Sequence, residues 1–318
     1  MKKYLSLCIF TILLAMTSLF FPPPSLASEG GGSIYLQGTN NDFAAGVIGP
    51  AGFYLRNDLF LYDADVGIRP LGGRIAGSAE QTLWLNLLKI SAVTDLKFFG
   101  GTFVAVAAFP YALDVDVEGE VDFMGYSIFR QGTTHGLGDP YIMPAALNWT
   151  QGKHHYTAGL AVRVPLGKYD INNLLNIGRN YWALNPQVSY TYLDKEKGWD
   201  LSFTAAILFN FENDDTNYTT GDEFYLDFNL ARHLSQRFGI GLTGYWYEQI
   251  SDDKGDLPLF LQSRNGFRSR GIGLGPALTY SVTINNHSFN LIGKWIHDVE
   301  TKNRFDGDIF MFSIATAL

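Results

Sequence analysis

The sequence predicts an all-β fold, a transmembrane antiparallel up-and-down β-barrel of about 12 strands. Three observations predict it. After residue 50, segments of about 10–13 residues alternate apolar and polar side chains, and the gaps between them run short, long, short. None of these segments approaches the roughly 20 unbroken apolar residues of a membrane helix. The last one runs to the end of the chain, with Phe310, Phe312, Ile314 and Leu318 on one face and small residues on the other.

An export leader stands at the front. Lys2 and Lys3 form a basic start, Leu5 to Phe21 an apolar core, and Ser25-Leu26-Ala27 a small-x-small cleavage site before Ser28. Pro22-Pro23-Pro24 ends the apolar stretch too early for an anchor. Residues 1–27 are therefore read as a signal peptide. Cys8 is the single cysteine and leaves with it, which removes disulfides, thiol catalysis and thiolate metal sites. Of 23 Lys and Arg, the loss of Lys2 and Lys3 leaves 21 against 31 Asp and Glu, a balance of −10. That sign argues against nucleic acid as a partner, because such binding rests on neutralising phosphates. The mean hydropathy of +0.01 suits a large barrel, in which lipid-facing and lumen-facing residues cancel. Aromatic residues at 15% with 34 glycines favour strands and tight turns over helices.

Residues 28–50 do not read as a strand. Glu29-Gly30-Gly31-Gly32-Ser33 and Gly38-Thr39-Asn40-Asn41-Asp42 are polar and flexible, and fit either a periplasmic tail or a plug folded into the lumen. Residues 51–318 form the barrel. Its strands are expected at 51–62, 79–90, 99–113, 139–149, 154–166, 181–193, 199–211, 222–232, 238–250, 270–282, 288–299 and 307–318. The period is clearest in two of them. Trp199, Leu201, Phe203, Ala205, Ile207, Phe209 and Phe211 oppose Asp200, Ser202, Thr204 and Asn210. Phe224, Leu226, Phe228 and Leu230 oppose Glu223, Tyr225, Asp227 and Asn229. Connections such as 150–153, 194–198 and 284–287 are short and polar, whereas 114–138, 167–180 and 251–269 are long. Short periplasmic turns and long outer loops with an even strand number are the habit of bacterial barrels.

Several clusters resemble one family. They are Glu29-Gly30-Gly31-Gly32-Ser33, Gly136-Leu137-Gly138-Asp139-Pro140, Pro165-Leu166-Gly167-Lys168-Tyr169-Asp170 and Asn176-Ile177-Gly178-Arg179-Asn180-Tyr181-Trp182. Thr191-Tyr192-Leu193-Asp194, Phe209-Asn210-Phe211-Glu212-Asn213 and Thr216-Asn217-Tyr218-Thr219-Thr220-Gly221 follow. Gly244-Tyr245-Trp246-Tyr247-Glu248-Gln249 and Gly273-Leu274-Gly275-Pro276 complete the set. In order and spacing the chain resembles the meta-pathway of phenol degradation family of outer-membrane transporters, which is similar to the porin that exports functional amyloid. The resemblance implies a porin-like channel for small aromatic or hydrophobic compounds, with no catalytic residue. Leu318 departs from the terminal Phe usual in barrel-assembly signals.

In a barrel the lumen is the functional surface. Arg163, Asn210, Glu223, Asp227, Lys294 and Asp298 are expected to point inward, since Arg or Lys on the lipid face at mid-membrane costs about 2–4 kcal/mol. They would either tune solute selectivity or pair with one another to fill the lumen. Prolines in successive strands, Pro110, Pro144, Pro165 and Pro186, with Pro276 later, read as bulges or as a weakened seam in the wall. His233-Leu234-Ser235 has the spacing of an outer-membrane phospholipase pair but falls at an inner turn. His154-His155 carries opposite-facing rings, better read as turn residues than as a metal pair. Asp214-Asp215 and Asp252-Asp253 with Asp256 read as solvated outer loops, with calcium bridging to lipopolysaccharide as the sharper option. Gly271-Ile272-Gly273-Leu274-Gly275 reads as close strand packing.

No cofactor and no enzyme activity are expected. The expected partners are outer-membrane lipid and lipopolysaccharide, the barrel-assembly machinery, and small hydrophobic or aromatic solutes. A polypeptide export pore and a non-conducting structural barrel are the alternatives, the first disfavoured by the short segment before the barrel.

Overall fold

The structure, a computed structural model, describes residues 33–68, 75–123, 126–173, 175–255 and 268–318. The signal peptide at 1–27 and Asp256 lie outside the described residues. Among the described residues fifteen strands follow one another. The first half holds β1 (Gly52–Ile68), β2 (Ile75–Phe98), β3 (Gly101–Phe123), β4 (Tyr126–Leu137), β5 (Tyr141–Gln151), β6 (His154–Arg163) and β7 (Ala183–Asp194). The second half holds β8 (Trp199–Asn210), β9 (Tyr218–Thr219), β10 (Glu223–His233), β11 (Phe238–Gln249), β12 (Lys254–Gly255), β13 (Arg270–Ile284), β14 (His287–Lys302) and β15 (Asp306–Ala317). Among the described residues there is no α-helix.

Twelve of these close into one antiparallel barrel. Each pairs with its neighbour in sequence order, with β4, β9 and β12 standing outside that count. The ring shuts where β1 meets β15, from Tyr54 opposite Ala317 to Asp65 opposite Asp306. Closure leaves no free edge, so every wall strand satisfies its backbone on both sides, as a membrane interior demands. The apolar and polar faces sort accordingly. Along β8, Trp199, Phe203 and Phe209 are exposed while Asp200, Ser202, Thr204 and Leu208 are buried. Polar side chains inside and aromatics outside invert the pattern of a water-soluble sandwich; this is an outer-membrane barrel. Ala205 lies near the middle of β8, opposite Leu226 and Val188. Ala205→Arg is therefore expected to lower stability by about 2–4 kcal/mol in urea unfolding from lipid vesicles, while Ala205→Leu stays near neutral.

The long connection expected at 114–138 is instead a hairpin. β3 continues to Phe123 and turns into β4, which pairs with the outer half of β3 from Tyr111–Leu137 to Phe123–Tyr126. β5 takes over the inner half of β3, from Thr102–Asn148 to Ala108–Tyr141. β4 and β5 thus form one wall strand broken at Gly138-Asp139-Pro140. A strand length tied to membrane thickness hides this extension in the sequence. Above the lipid the outward face turns acidic rather than apolar: Asp65 stands opposite Glu80, and Glu80 opposite Glu118. Asp114-Val115-Asp116-Val117-Glu118 keeps the strand period, but with carboxylates where lipid-facing residues would be.

Ladder irregularities fall at several of the prolines. Around Pro144 the register shifts on both sides, against β3 between Val104 and Val106 and against β6 between Ile142 and Ala145. Asn285 and Asn286, at φ 48° and 66°, make the two-residue turn between β13 and β14 that a right-handed strand twist prefers.

Candidate functional site

The lumen is where the polar side chains of the wall converge, and residues 33–50 run through it. Ser33 donates to Glu223 at the outer end of β10, and the Tyr35 hydroxyl donates to Asp227 on the same strand. Lower down, Asn41 Nδ2 donates to the Gly244 carbonyl at 3.2 Å. Near the inner end, Ala44 N–H donates to Asp200 at 2.7 Å, Gly46 N–H to Thr191 at 2.8 Å, and Asn148 to the Gly46 carbonyl at 2.7 Å. The segment therefore spans the barrel from its outer rim to the periplasmic end. Its route is polar because the wall it meets is polar.

Asp42 is the electrostatic anchor. Lys294 Nζ donates to it at 2.6 Å, to Asn41 Oδ1 at 2.8 Å and to the Gly38 carbonyl at 3.1 Å. Arg56 donates to Asp42 through both terminal nitrogens and to Asp58 through Nε at 2.6 Å. Lys89 adds a bond to the Thr39 carbonyl at 2.8 Å and lies 3.3 Å from Asp58. Three cations thus converge on the Asp42 and Asp58 carboxylates and offset the cost of burying them.

Above this anchor stands an aromatic stack. Tyr35 lies between Tyr225, with ring centroids 4.2 Å apart and planes at 12°, and Tyr247, at 5.8 Å and 7°. Tyr245 meets it edge-on at 6.2 Å. Offset stacks of this kind contribute about 0.5–1.5 kcal/mol beyond their buried area. Gly273, on the facing strand β13, gives the Tyr245 ring its room: a Cβ there would come within 2.4 Å of the ring. Close packing thus explains the glycine-rich stretch, as the sequence suggests.

A cavity of about 370 Å³ opens at the outer end of the lumen, over this stack. Leu83, Val115, Ile171 and Ile177 give it apolar walls, and Asp139, Arg163 and Arg304 give it charge. Residues 169–173 and 175–179 contribute one part of the lining. Asp139 accepts from Gly167 N–H at 2.9 Å and from Arg179 N–H at 2.6 Å. Gly167 and Gly178 cross so closely that a Cβ on Gly167 would lie 2.6 Å from Gly178 Cα. Only glycine fits that crossing.

All six of the sequence-selected residues are buried within the barrel. Glu223, Asp227 and Lys294 bind residues 33–50 directly. Asp298 instead accepts from Tyr62 at 3.0 Å and from Tyr245, inside the wall itself. Asn210 donates to the Gly221 carbonyl at 3.0 Å and so ties β8 to the loop before β10. Arg163 lies over the Tyr141 ring at 4.8 Å. Sequence reading passes over Arg56, Asp58 and Lys89, although the rule that puts strand-interior charges inside applies equally to them. It also passes over Asp42, Tyr35 and Arg304, which lie outside regular strands and carry no period.

The other motifs resolve into local bonds. His233 Nε2 lies 3.2 Å from Asp200, and Ser235 Oγ accepts from the backbone of Arg237 and Phe238 within the inner turn. His154 and His155 contact separate partners, Tyr190 at 2.9 Å and Thr150 at 3.0 Å. Asp253 accepts from Gly221 N–H and Gln249, so it fastens the outer loops together.

The family described as "Putative MetA-pathway of phenol degradation" matches residues 64–314. The chain belongs to this family. No curated protein sequence matches it. Among solved structures it is similar to the COG4313 outer membrane channel from Pseudomonas putida F1, at 13% identity and a TM-score of 0.69, over 88% of this chain and 98% of that one. At that identity the likeness establishes the fold. The β domain of the Bordetella autotransporter BrkA follows at 11% identity and a TM-score of 0.41, over 84% and 100%. A Pseudomonas aeruginosa FadL homologue stands at 10% and 0.38, over 93% and 97%.

Proposed function

We propose that this family member is an outer-membrane channel for the passive passage of small aromatic or hydrophobic compounds, closed at rest by residues 33–50. One observation carries the reading: a cavity of about 370 Å³ at the outer end of the lumen, lined by apolar side chains together with a few charged ones. That size lies at the lower end of ordinary small-molecule sites, about 300–1,000 Å³, and so favours a single-ring solute. Tyr35 and Tyr247 of the aromatic stack line it beside Leu83, Val115 and Ile177, a surface that suits the edge of such a ring. The barrel and the family membership support transport rather than an enzyme reaction. The channel named among similar structures supports the same reading.

Single-channel recording of the refolded mature protein in planar bilayers tests it. Stable conductance steps, partly blocked by benzoate or phenol, are the expected result. A correctly folded barrel that conducts neither as the full chain nor after removal of residues 33–50 would sink the proposal.

A further inference from the structure

The outer cavity contains two buried guanidinium groups that form no close ion pair among the described residues. Arg163 and Arg304 are 8% and 9% exposed, and both line the cavity. Arg163 Nε and Arg304 Nη1 have no hydrogen-bond partner. Arginine ion pairs among the described residues involve Arg56, Arg268 and Arg270, and neither of these two. Each lies instead over a tyrosine ring, Arg163 at 4.8 Å from Tyr141 and Arg304 at 4.7 Å from Tyr247. A cation–π contact offsets only part of the cost of desolvating a guanidinium.

Asp139, Glu223 and Asp298 act on the two arginines only through space, and none is hydrogen-bonded to them. Asp139 takes two backbone N–H groups, and Glu223 takes the Ser33 hydroxyl. A planar fork of N–H donors fits a carboxylate in bidentate fashion, and does so best where water is scarce. Facing the arginines are apolar side chains, Leu83, Val115 and Ile177 among them. We propose that this cavity binds a small aromatic carboxylate, its carboxylate group taken by Arg163 and Arg304 and its ring laid against the apolar side chains of the lining. The proposal rests on the reading of the chain as a small-solute channel and adds the charge of the solute.

Calorimetric titration of the full mature protein in detergent tests it, with benzoate as probe and benzyl alcohol as its neutral counterpart. Planar-bilayer recordings on the same sample accompany it. Benzoate should bind saturably and about tenfold or more tighter than benzyl alcohol, the range of a charge-assisted hydrogen bond. Arg163→Gln and Arg304→Gln should each remove most of that preference and leave benzyl alcohol unchanged. Arg304→Lys, which keeps the charge, should restore part of it and serves if Arg304→Gln does not fold. Equal binding of the two probes, or Gln variants that titrate like the parent, would overturn the site. Benzoate binding without any conductance would uphold the site and sink the channel reading. Conductance with no benzoate preference would do the reverse.

Discussion

Removal of residues 33–50 from the mature chain is expected to raise single-channel conductance several-fold. The segment runs from Glu223 at the outer end of β10 to Thr191 and Asp200 near the periplasmic end, so it occupies the lumen along its height. No wall ladder depends on it: β1 begins at Gly52 and pairs with β2 and β15 from there on. The barrel should therefore still close, and the groups that faced the segment, among them Asp227, Lys294 and Thr191, would be wetted rather than stranded. Heat-modifiable migration on gels checks that the variant is folded. Unchanged conductance from a folded variant would mean that the passage runs beside the segment and that its bonds are structural only.

Asp42→Ala is the single substitution with the largest expected effect on the same contact. Lys294 is buried and its ammonium has Asp42 as its ion-pair partner, whereas Arg56 keeps Asp58. Breaking one side of a buried pair typically costs about 3–5 kcal/mol, because the surviving charge is left uncompensated. Retention of the Arg56–Asp58 contact places this case at the lower end. The loss should appear as release of the segment: frequent opening in bilayer recordings and faster protease cleavage within residues 33–50, with the barrel itself resistant. Double replacement of Asp42 and Lys294 by Ala should open the channel less than Asp42→Ala alone, since it removes the orphaned charge.

Much of the wall was legible in the chain. The period-two pattern in Trp199–Asn210 and Glu223–His233 matches the strands observed there to within a residue or two. Membrane physics makes this possible, because a strand that must face lipid on one side and a polar lumen on the other has little freedom of composition. The same rule failed above the membrane. From Asp114 to Glu120 the outward positions are acidic, and no lipid requirement marks them as strand, so the outer part of β3 and all of β4 read as a loop.

By itself the sequence determined the number of strands, the face each presents to lipid, and the family to which the chain belongs. These follow from local alternation and turn chemistry, which each segment carries on its own. Only the tertiary structure decided where residues 33–50 go, which of the inward charges meet, and which remain without an acid partner. Asp42 and Lys294 are 252 residues apart, and their meeting depends on how the ring closes. Arg163 and Arg304 come to one cavity for the same reason. A charge shows in sequence that it must be inside; only the closed barrel shows what it faces there.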